Sequence, residues 1–271
     1  MIKKGINFVL NLVMSVLVLG LICVLLISST FFNKEYVKEK MRENRFYEKT
    51  YSDIKEDFEN YTMQSGLELE ILEGLFTKDK VEKDINSKID AMYGGKKVKI
   101  ETDSIRMELD SRIDLALEEN NRVPSENEKK SIQKYEDVIV DCYQSGILYG
   151  RDFSISSKYL GLAKNICIIA MIVISILLLI INRSILKYIS FIGVNLLFSG
   201  ILCASVKFLL EKRIQHILIL DAKFSKLLVN CLNDIIGKFH NFGIIAVLLG
   251  VILIGLGSLE KIIKTIENEI N

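Results

Sequence analysis

The chain has 271 residues, of which 50% are hydrophobic and 25% are charged, and its formal net charge at pH 7 is +1. A net charge this small excludes a strongly basic nucleic-acid-binding protein, because such proteins neutralise phosphates with many cations. A single soluble domain rarely carries both populations at these levels, so we expect apolar and charged residues to be separated along the chain.

Four stretches contain almost no charge: residues 6–32, 160–181, 188–210 and 242–259. A hydrocarbon core of about 30 Å is crossed by about 20 apolar helical residues, because each residue rises about 1.5 Å. The sequence therefore predicts an all-α membrane protein with four transmembrane helices. One proline and few glycines also argue against a β-rich fold with many tight turns.

The first apolar stretch, 6–32, follows a short N-terminus, 1–5, that contains Lys3 and Lys4. A cleaved signal peptide has a similar basic start, but this apolar run is about twice as long as a signal-peptide core. Ser28, Ser29 and Thr30 also make a poor cleavage site. We therefore expect an uncleaved anchor.

Residues 33–158 carry apolar residues at helical spacing, and several helix boundaries can be read between them. An aromatic-rich stripe runs from Tyr36 to Tyr61 and ends near Gly66, which suits a left-handed helix cap. Thr77 is placed to cap a second helix that ends at Gly94 and Gly95.

A third helix, with Ile105, Leu109 and Ile113 on one face, is predicted to end before Pro124. Ser125 and Glu128 have the spacing of a capping box, which predicts a fourth helix continuing toward the second span. Four amphipathic helices can bury their apolar stripes only against one another. We therefore predict a helical bundle standing on the membrane, with the aromatic stripe in its core.

The second and third spans, 160–181 and 188–210, form a helical hairpin joined by a short turn at 182–187. In the fourth span, 242–259, Gly250 and Gly257 lie seven residues apart on nearly the same face, where small residues let another helix approach closely. Glycine is also common in membrane helices in general, so the sequence leaves both explanations open.

Residues 211–241 are amphipathic, with one face that is apolar and includes Ile217, Leu220, Phe224, Leu227, Leu228, Cys231 and Ile235. The segment is too charged to cross the bilayer and too apolar to remain in water. We predict an amphipathic helix that lies on the outer membrane surface or docks under the bundle.

Orientation follows from the lysines and arginines of short loops, which favour the cytoplasmic side. In a four-span arrangement one side receives Lys3, Lys4, Arg183, Lys187, Lys261 and Lys264. We therefore place both termini, including the tail 260–271, in the cytoplasm of a multi-pass plasma-membrane protein. Residues 33–158 and 211–241 are then extracytoplasmic, although the lysines of the second segment oppose the rule.

No residue is predicted to be catalytic, to bind a cofactor or to ligate a metal. His216 and His240 lack metal-binding spacing, and no GxSxG or SxxK sequence is present. Lys96 and Lys97 follow two glycines without the serine or threonine of a phosphate loop, so a turn is the better interpretation. Cys142 and Cys231 would both lie where a disulfide can form, but their spacing matches no disulfide framework.

Three polar residues of the spans are of interest. Lys164 and Lys207 lie near span ends, where their ammonium groups can reach the membrane interface, which makes a transport role the less favoured interpretation. Asn195 in the third span is able to hydrogen-bond across helices.

The first span and the front half of residues 33–158 contain Ser28, Ser29, Thr30, Asn33, Tyr36, Phe46, Tyr47, Glu48, Lys49, Tyr51, Ile54, Phe58, Tyr61, Gln64, Ser65, Gly66, Leu67, Val81, Asp84 and Ile85. In these residues the chain resembles an uncharacterised family of four-span membrane proteins from clostridial-type low-GC Gram-positive bacteria. The resemblance implies a plasma-membrane location and supplies no catalytic residues. The order of spans and loops is also similar to that of FtsX-like permeases, claudins and large-pore channels.

We therefore expect a non-enzymatic cell-envelope protein whose external domain binds or senses a partner protein or a cell-wall component. The spans are expected to serve as an anchor in the lipid bilayer and as a surface for homo-oligomers. The alternative is a transport or channel component with an FtsX-like order of spans. Neither function needs a cofactor or a nucleic-acid partner.

Overall fold

The computed structural model of the protein describes residues 2–96, 99–147, 154–215 and 222–270. Of the residues that the structure describes, 87% are helical and none lies in a strand. It divides into two compact units. The apolar unit combines Met1–Asn33 with Ser156–Asn271, and the interspan unit is Lys34–Ile155. The prediction of an all-α protein is confirmed.

The described residues form helices α1 to α9, whose bounds are as follows: α1 Ile2–Ser29, α2 Lys34–Glu43, α3 Phe46–Ser65, α4 Lys78–Gly94, α5 Asp103–Glu119, α6 Glu126–Gly146, α7 Ser154–Asn182, α8 Ile185–Ile214 and α9 Ala222–Ile270. A short 3-10 turn, Leu69–Leu72, lies between α3 and α4. Helices α1, α7, α8 and α9 belong to the apolar unit, and the others belong to the interspan unit.

Four helical segments are long and apolar enough to cross a membrane: Gly5–Ser29, Lys158–Asn182, Ile185–Ile214 and Ala222–Leu259. They correspond to the four predicted spans and indicate a multi-pass membrane protein. Of these four segments, the one in α7, Lys158–Asn182, has the smallest share of buried residues. Its main apolar contact is with α1, where Met14 packs against Ile174 and Leu178.

The turn between α7 and α8 is shorter than the predicted 182–187, because only Arg183 and Ser184 separate the helices. Arg183 adopts a left-handed conformation with φ of 52°. The Ser184 hydroxyl accepts a hydrogen bond from the Lys187 backbone N–H and so caps α8. A left-handed residue followed by a cap reverses the chain in two residues.

The structure differs from the prediction at 211–241. Instead of a separate amphipathic helix, residues 222–241 continue without a break into the fourth span as part of α9. The predicted apolar face is present, and its members Leu227, Cys231 and Ile235 are buried. They are covered within the apolar unit, where α9 packs against α8 and α1. Residues 216–221 of the predicted segment lie outside the described residues.

Helices α8 and α9 run antiparallel with their backbones in direct contact at glycines. A Cβ atom added to Gly250 would lie 2.7 Å from the carbonyl oxygen of Gly193, and one added to Gly200 would lie 2.8 Å from that of Gly243. At Gly257 an added Cβ would meet Ser190 Cβ at 2.5 Å. Close approach of a second helix is therefore the correct explanation for these glycines.

The interspan unit is organised around α3, which contacts α2, α4, α6 and the 3-10 turn. Most of the aromatic stripe lies in its core as predicted, with Phe46, Tyr47 and Phe58 almost fully buried, whereas Tyr61 at its end is exposed. The stripe is divided between two helices, because Arg45 takes a left-handed conformation with φ of 53° and ends α2 before α3 begins. The core is completed by Ile54, Val81, Ile85, Ile89, Ile105, Leu109, Ile113, Ile139 and Tyr143.

The predicted helix boundaries at Thr77, Gly95 and Ser125 are confirmed. Thr77 accepts a hydrogen bond from the backbone of Lys80, and Gly95 ends α4 with φ of 65°. Ser125 and Glu128 form the reciprocal capping box at the start of α6. These hydrogen bonds, together with the neighbouring Arg122 guanidinium, lower the pKa of the Glu128 carboxyl to about 2. Residues 148–153, beyond α6, lie outside the described residues.

Gly250→Ala should separate α8 from α9, because its methyl group has only backbone atoms to displace. Overpacking of this kind costs roughly 1 to 3 kcal/mol. The matched control is Gly255→Ala on the same helix, where nothing lies within 4 Å of an added Cβ. Unfolding of the purified protein by sodium dodecyl sulfate, followed by circular dichroism, measures both. Equal stability of the two variants would contradict the backbone contact.

Candidate functional site

The interspan unit has an open groove between α3 and the loop that follows it. Its volume is about 280 Å³. The lining residues are Tyr51, Lys55, Phe58 and Glu59 from α3, and Leu69, Glu70, Leu72, Glu73, Gly74 and Phe76 from the loop. We refer to this site as the aromatic groove.

The floor of the aromatic groove is continuous with the core. The Phe76 ring centroid lies 5.2 Å from that of Tyr51, 5.0 Å from Phe58 and 5.7 Å from Tyr143. The contacts with Phe58 and Tyr143 are edge-to-face, the geometry in which aromatic rings attract one another. Phe76 is therefore held on three sides, and the floor cannot shift without disturbing the core.

The loop wall of the groove is anchored from α5. The Arg112 guanidinium donates to the backbone carbonyl of Ile71 at 3.4 Å and also to that of Glu73. Its Nε donates to the Glu108 carboxylate at 2.9 Å, which fixes the direction of the side chain. Ile71 and Leu75 are buried beneath the loop. Two hydrogen-bonded carbonyls and two buried apolar side chains therefore fix the position of the loop that forms this wall of the groove.

Charged groups lie along the rim. Lys55 Nζ lies 3.6 Å from the Glu59 carboxylate, one helical turn away. Glu70 and Glu73 are exposed, and neither has an ion pair among the residues that the structure describes. The rim therefore has one internally compensated pair and two carboxylates that face solvent.

A polar network supports the floor from behind. The Tyr143 hydroxyl donates to the Asp84 carboxylate at 2.8 Å, and Lys80 Nζ lies 3.4 Å from the same carboxylate. Burial, followed by the neighbouring Asp84 charge, raises the pKa of Tyr143 far above its usual value. Tyr143 therefore stays protonated at any physiological pH and acts as a permanent donor.

The apolar unit contains a second constellation, an uncharged polar seam made by Asn7, Asn11 and Ser15 of α1, Asn182 of α7, and Asn195 and Ser199 of α8. Asn7 Nδ2 donates to Asn182 Oδ1 at 2.9 Å. Asn195 accepts from Ser15 Oγ at 2.9 Å and donates to Asn11 Oδ1 at 3.0 Å. Ser199 Oγ donates to the Ser15 carbonyl at 3.0 Å.

Asn195 therefore hydrogen-bonds across helices, as the sequence predicts. Lys164 and Lys207 make no hydrogen bond or ion pair within the described residues, and neither joins the polar seam. A ring nitrogen of His240 lies 3.0 Å from the Ala204 carbonyl oxygen. His216 and Lys97 lie outside the described residues.

Cys142 is partly buried in the interspan unit, and Cys231 is buried in the apolar unit. Cys142 Sγ lies 3.9 Å from the Asp57 carboxylate. Burial, and then the Asp57 charge, raises the pKa of the Cys142 thiol to about 12, which disfavours the reactive thiolate. Among the described residues, no group of three metal-ligating side chains converges.

Comparison of the chain with protein-family models, curated proteins and solved structures finds no match. The resemblance to a clostridial-type membrane protein family therefore stays a prediction. The aromatic groove and the polar seam are therefore the two candidate functional sites.

Asn195→Leu should destabilise the apolar unit, because Asn11 Oδ1 loses its donor and Ser15 Oγ loses its buried acceptor. Hydrogen bonds between membrane helices are worth about 0.6 kcal/mol on average and up to about 1.7 kcal/mol. A double-mutant cycle with Ser15→Ala should give a coupling energy in that range. Ser205→Ala is the control on the same helix, because Ser205 bonds only to its own backbone at Leu202. Zero coupling would contradict the seam.

Proposed function

We propose that the protein is a non-enzymatic membrane protein whose interspan unit binds a partner outside the cytoplasm through the aromatic groove. The observation that carries this proposal is the combination of an anchored loop, an aromatic floor and a solvent-facing rim in one compact unit. Apolar concave sites with a few placed polar groups are the usual form of binding sites in proteins.

The groove is a surface site rather than a packing defect of the core. Leu69, Glu70 and Glu73 on its rim are exposed, whereas Phe58 and Phe76 on its floor are buried. A partner can therefore approach the rim while the floor stays fixed by the core. A rigid, preformed site supports binding, because less conformational entropy is lost when the partner docks.

The extracytoplasmic location rests on the distribution of lysine and arginine among the short loops. With both termini in the cytoplasm, the interspan unit is available to proteins and wall components outside the plasma membrane. The largely uncovered apolar surface of α7 faces lipid or a second copy of the chain. The spans then provide the anchor.

The alternative function is a transport or channel component, and the polar seam is the observation that favours it. Polar side chains inside a membrane protein often mark a pathway for a substrate. The test measures solute flux across the membrane of liposomes that contain the protein. Flux that is lost in Asn195→Leu and kept in Ser205→Ala would establish this alternative. Flux equal to that of empty liposomes would support the binding function.

Labelling of single cysteines tests the location of the interspan unit. In a variant that lacks the native cysteines, Val123→Cys should react with an impermeant maleimide in intact cells, whereas Ile185→Cys should react only after lysis. Both side chains are well exposed, at 90% and 67% respectively, so a lack of reaction reports the membrane barrier. Labelling of position 185 but not 123 in intact cells would reverse the orientation.

Site-specific photocrosslinking tests partner binding at the groove. Benzoylphenylalanine in place of Leu69, an exposed rim residue, should give a discrete adduct on irradiation of cells that naturally produce the protein. The control is the same substitution at Met107, which is 68% exposed on α5 and outside the groove. The absence of an adduct at position 69, or the same adducts at both positions, would count against partner binding at this site.

A further inference from the structure

We propose that the aromatic groove binds a lysine or arginine side chain from an extended, basic and apolar segment of a partner polypeptide. This inference rests on the proposed partner-binding function and adds the chemical class of the partner. The inference is based on the charged side chains and the aromatic surface of the groove, all of which belong to the interspan unit.

The charge of the rim selects a cation. Four charged side chains line the groove, one lysine and three glutamates. Lys55 is paired with Glu59 at 3.6 Å, which leaves Glu70 and Glu73 to face an incoming group. A cation placed between these two carboxylates would make charge-assisted hydrogen bonds, which are about twice as strong as neutral ones. An anionic partner would meet only repulsion at the same position.

The groove surface selects a cation with an apolar stem. Tyr51 is half-buried and stacks at its edge against Phe76, so part of its ring remains open to the groove. Leu69 and Leu72 add aliphatic surface on the facing wall. The methylene stems of lysine and arginine pack on such surfaces while their charged ends reach polar groups. A cation over a tyrosine ring is attracted further by the negative electrostatic potential of the ring face.

The dimensions of the groove favour a peptide segment over a metal ion or a folded domain. A volume of about 280 Å³ accommodates a long side chain and its neighbouring backbone. A metal ion is disfavoured because no three metal-ligating side chains converge in the part of the chain that the structure describes. The groove lies between α3 and the loop that Arg112 anchors, so a peptide can approach it from the solvent side of the rim.

The test uses the full chain in nanodiscs of phosphatidylcholine, a lipid without net charge that does not attract cationic peptides. The probe is a fluorescein-labelled peptide of alternating glycine, leucine and lysine residues, and binding is followed by fluorescence anisotropy. One comparison peptide has glutamate in place of lysine, and a second has serine in place of leucine. We expect the basic and apolar peptide to bind most tightly.

Two double variants separate the groove from general electrostatic attraction. Glu70→Gln with Glu73→Gln removes both carboxylates of the rim and should weaken binding about tenfold or more, since a hydrogen bond to a charged group is worth roughly 1.5 to 3 kcal/mol. The control, Asp114→Asn with Glu118→Gln, removes the same charge from the surface of α5. It should leave the dissociation constant unchanged. Circular dichroism verifies that both variants are folded.

The possible results have distinct meanings. Equal weakening in the two double variants, or no binding of the basic peptide to the wild-type protein, would overturn the proposal. Tighter binding of the glutamate peptide, lost in Tyr51→Ala, would overturn the cationic class and leave the groove as a binding site. Failure of partner binding itself is detected separately, by the absence of a photocrosslinked adduct at position 69.

Discussion

Helix association inside a bilayer lacks the driving force that folds soluble proteins, because lipid tails are as apolar as leucine side chains. In the apolar unit α8 contacts α9 through small residues and α1 through polar residues. Gly193 and Gly200 bring its backbone against α9, and Asn195 and Ser199 hydrogen-bond to α1. Because successive residues of an α-helix are rotated by about 100°, the two glycines and the two polar residues lie on opposite sides of α8. Helices α1 and α9 therefore depend on this central element, whereas α7 contacts chiefly α1.

The interspan unit is stabilised differently, by the burial of large apolar and aromatic side chains in a helical core. Local sequence determines most of its elements, and these were predictable: the Thr77 cap, the Ser125 and Glu128 capping box, and the glycines that end α3 and α4. The break at Arg45 was not predictable, since arginine seldom adopts a left-handed conformation. It is imposed by packing of α2 and α3 on α4.

The aromatic groove could not be predicted from the sequence for a similar reason. Its floor and its anchoring depend on residues far apart in the chain, above all Phe76 with Tyr143 and Arg112 with the carbonyls of Ile71 and Glu73. Local patterns predict which residues are buried, but they do not identify which loop a distant arginine holds. The one local signal was the alternation of leucine and glutamate from Leu67 to Glu70.

The segment before the fourth span shows the same limit in a membrane setting. Its amphipathic pattern was read correctly, but a pattern cannot say whether lipid, another domain or neighbouring helices cover the apolar face. Helix α9 has 49 residues and so extends about 74 Å, more than twice the hydrocarbon thickness of about 30 Å. A helix of that length must project beyond the bilayer. Buried residues such as Leu227 and Ile235 in its N-terminal part therefore argue that protein contacts continue outside the hydrocarbon region, in an extension of the α8 and α9 hairpin.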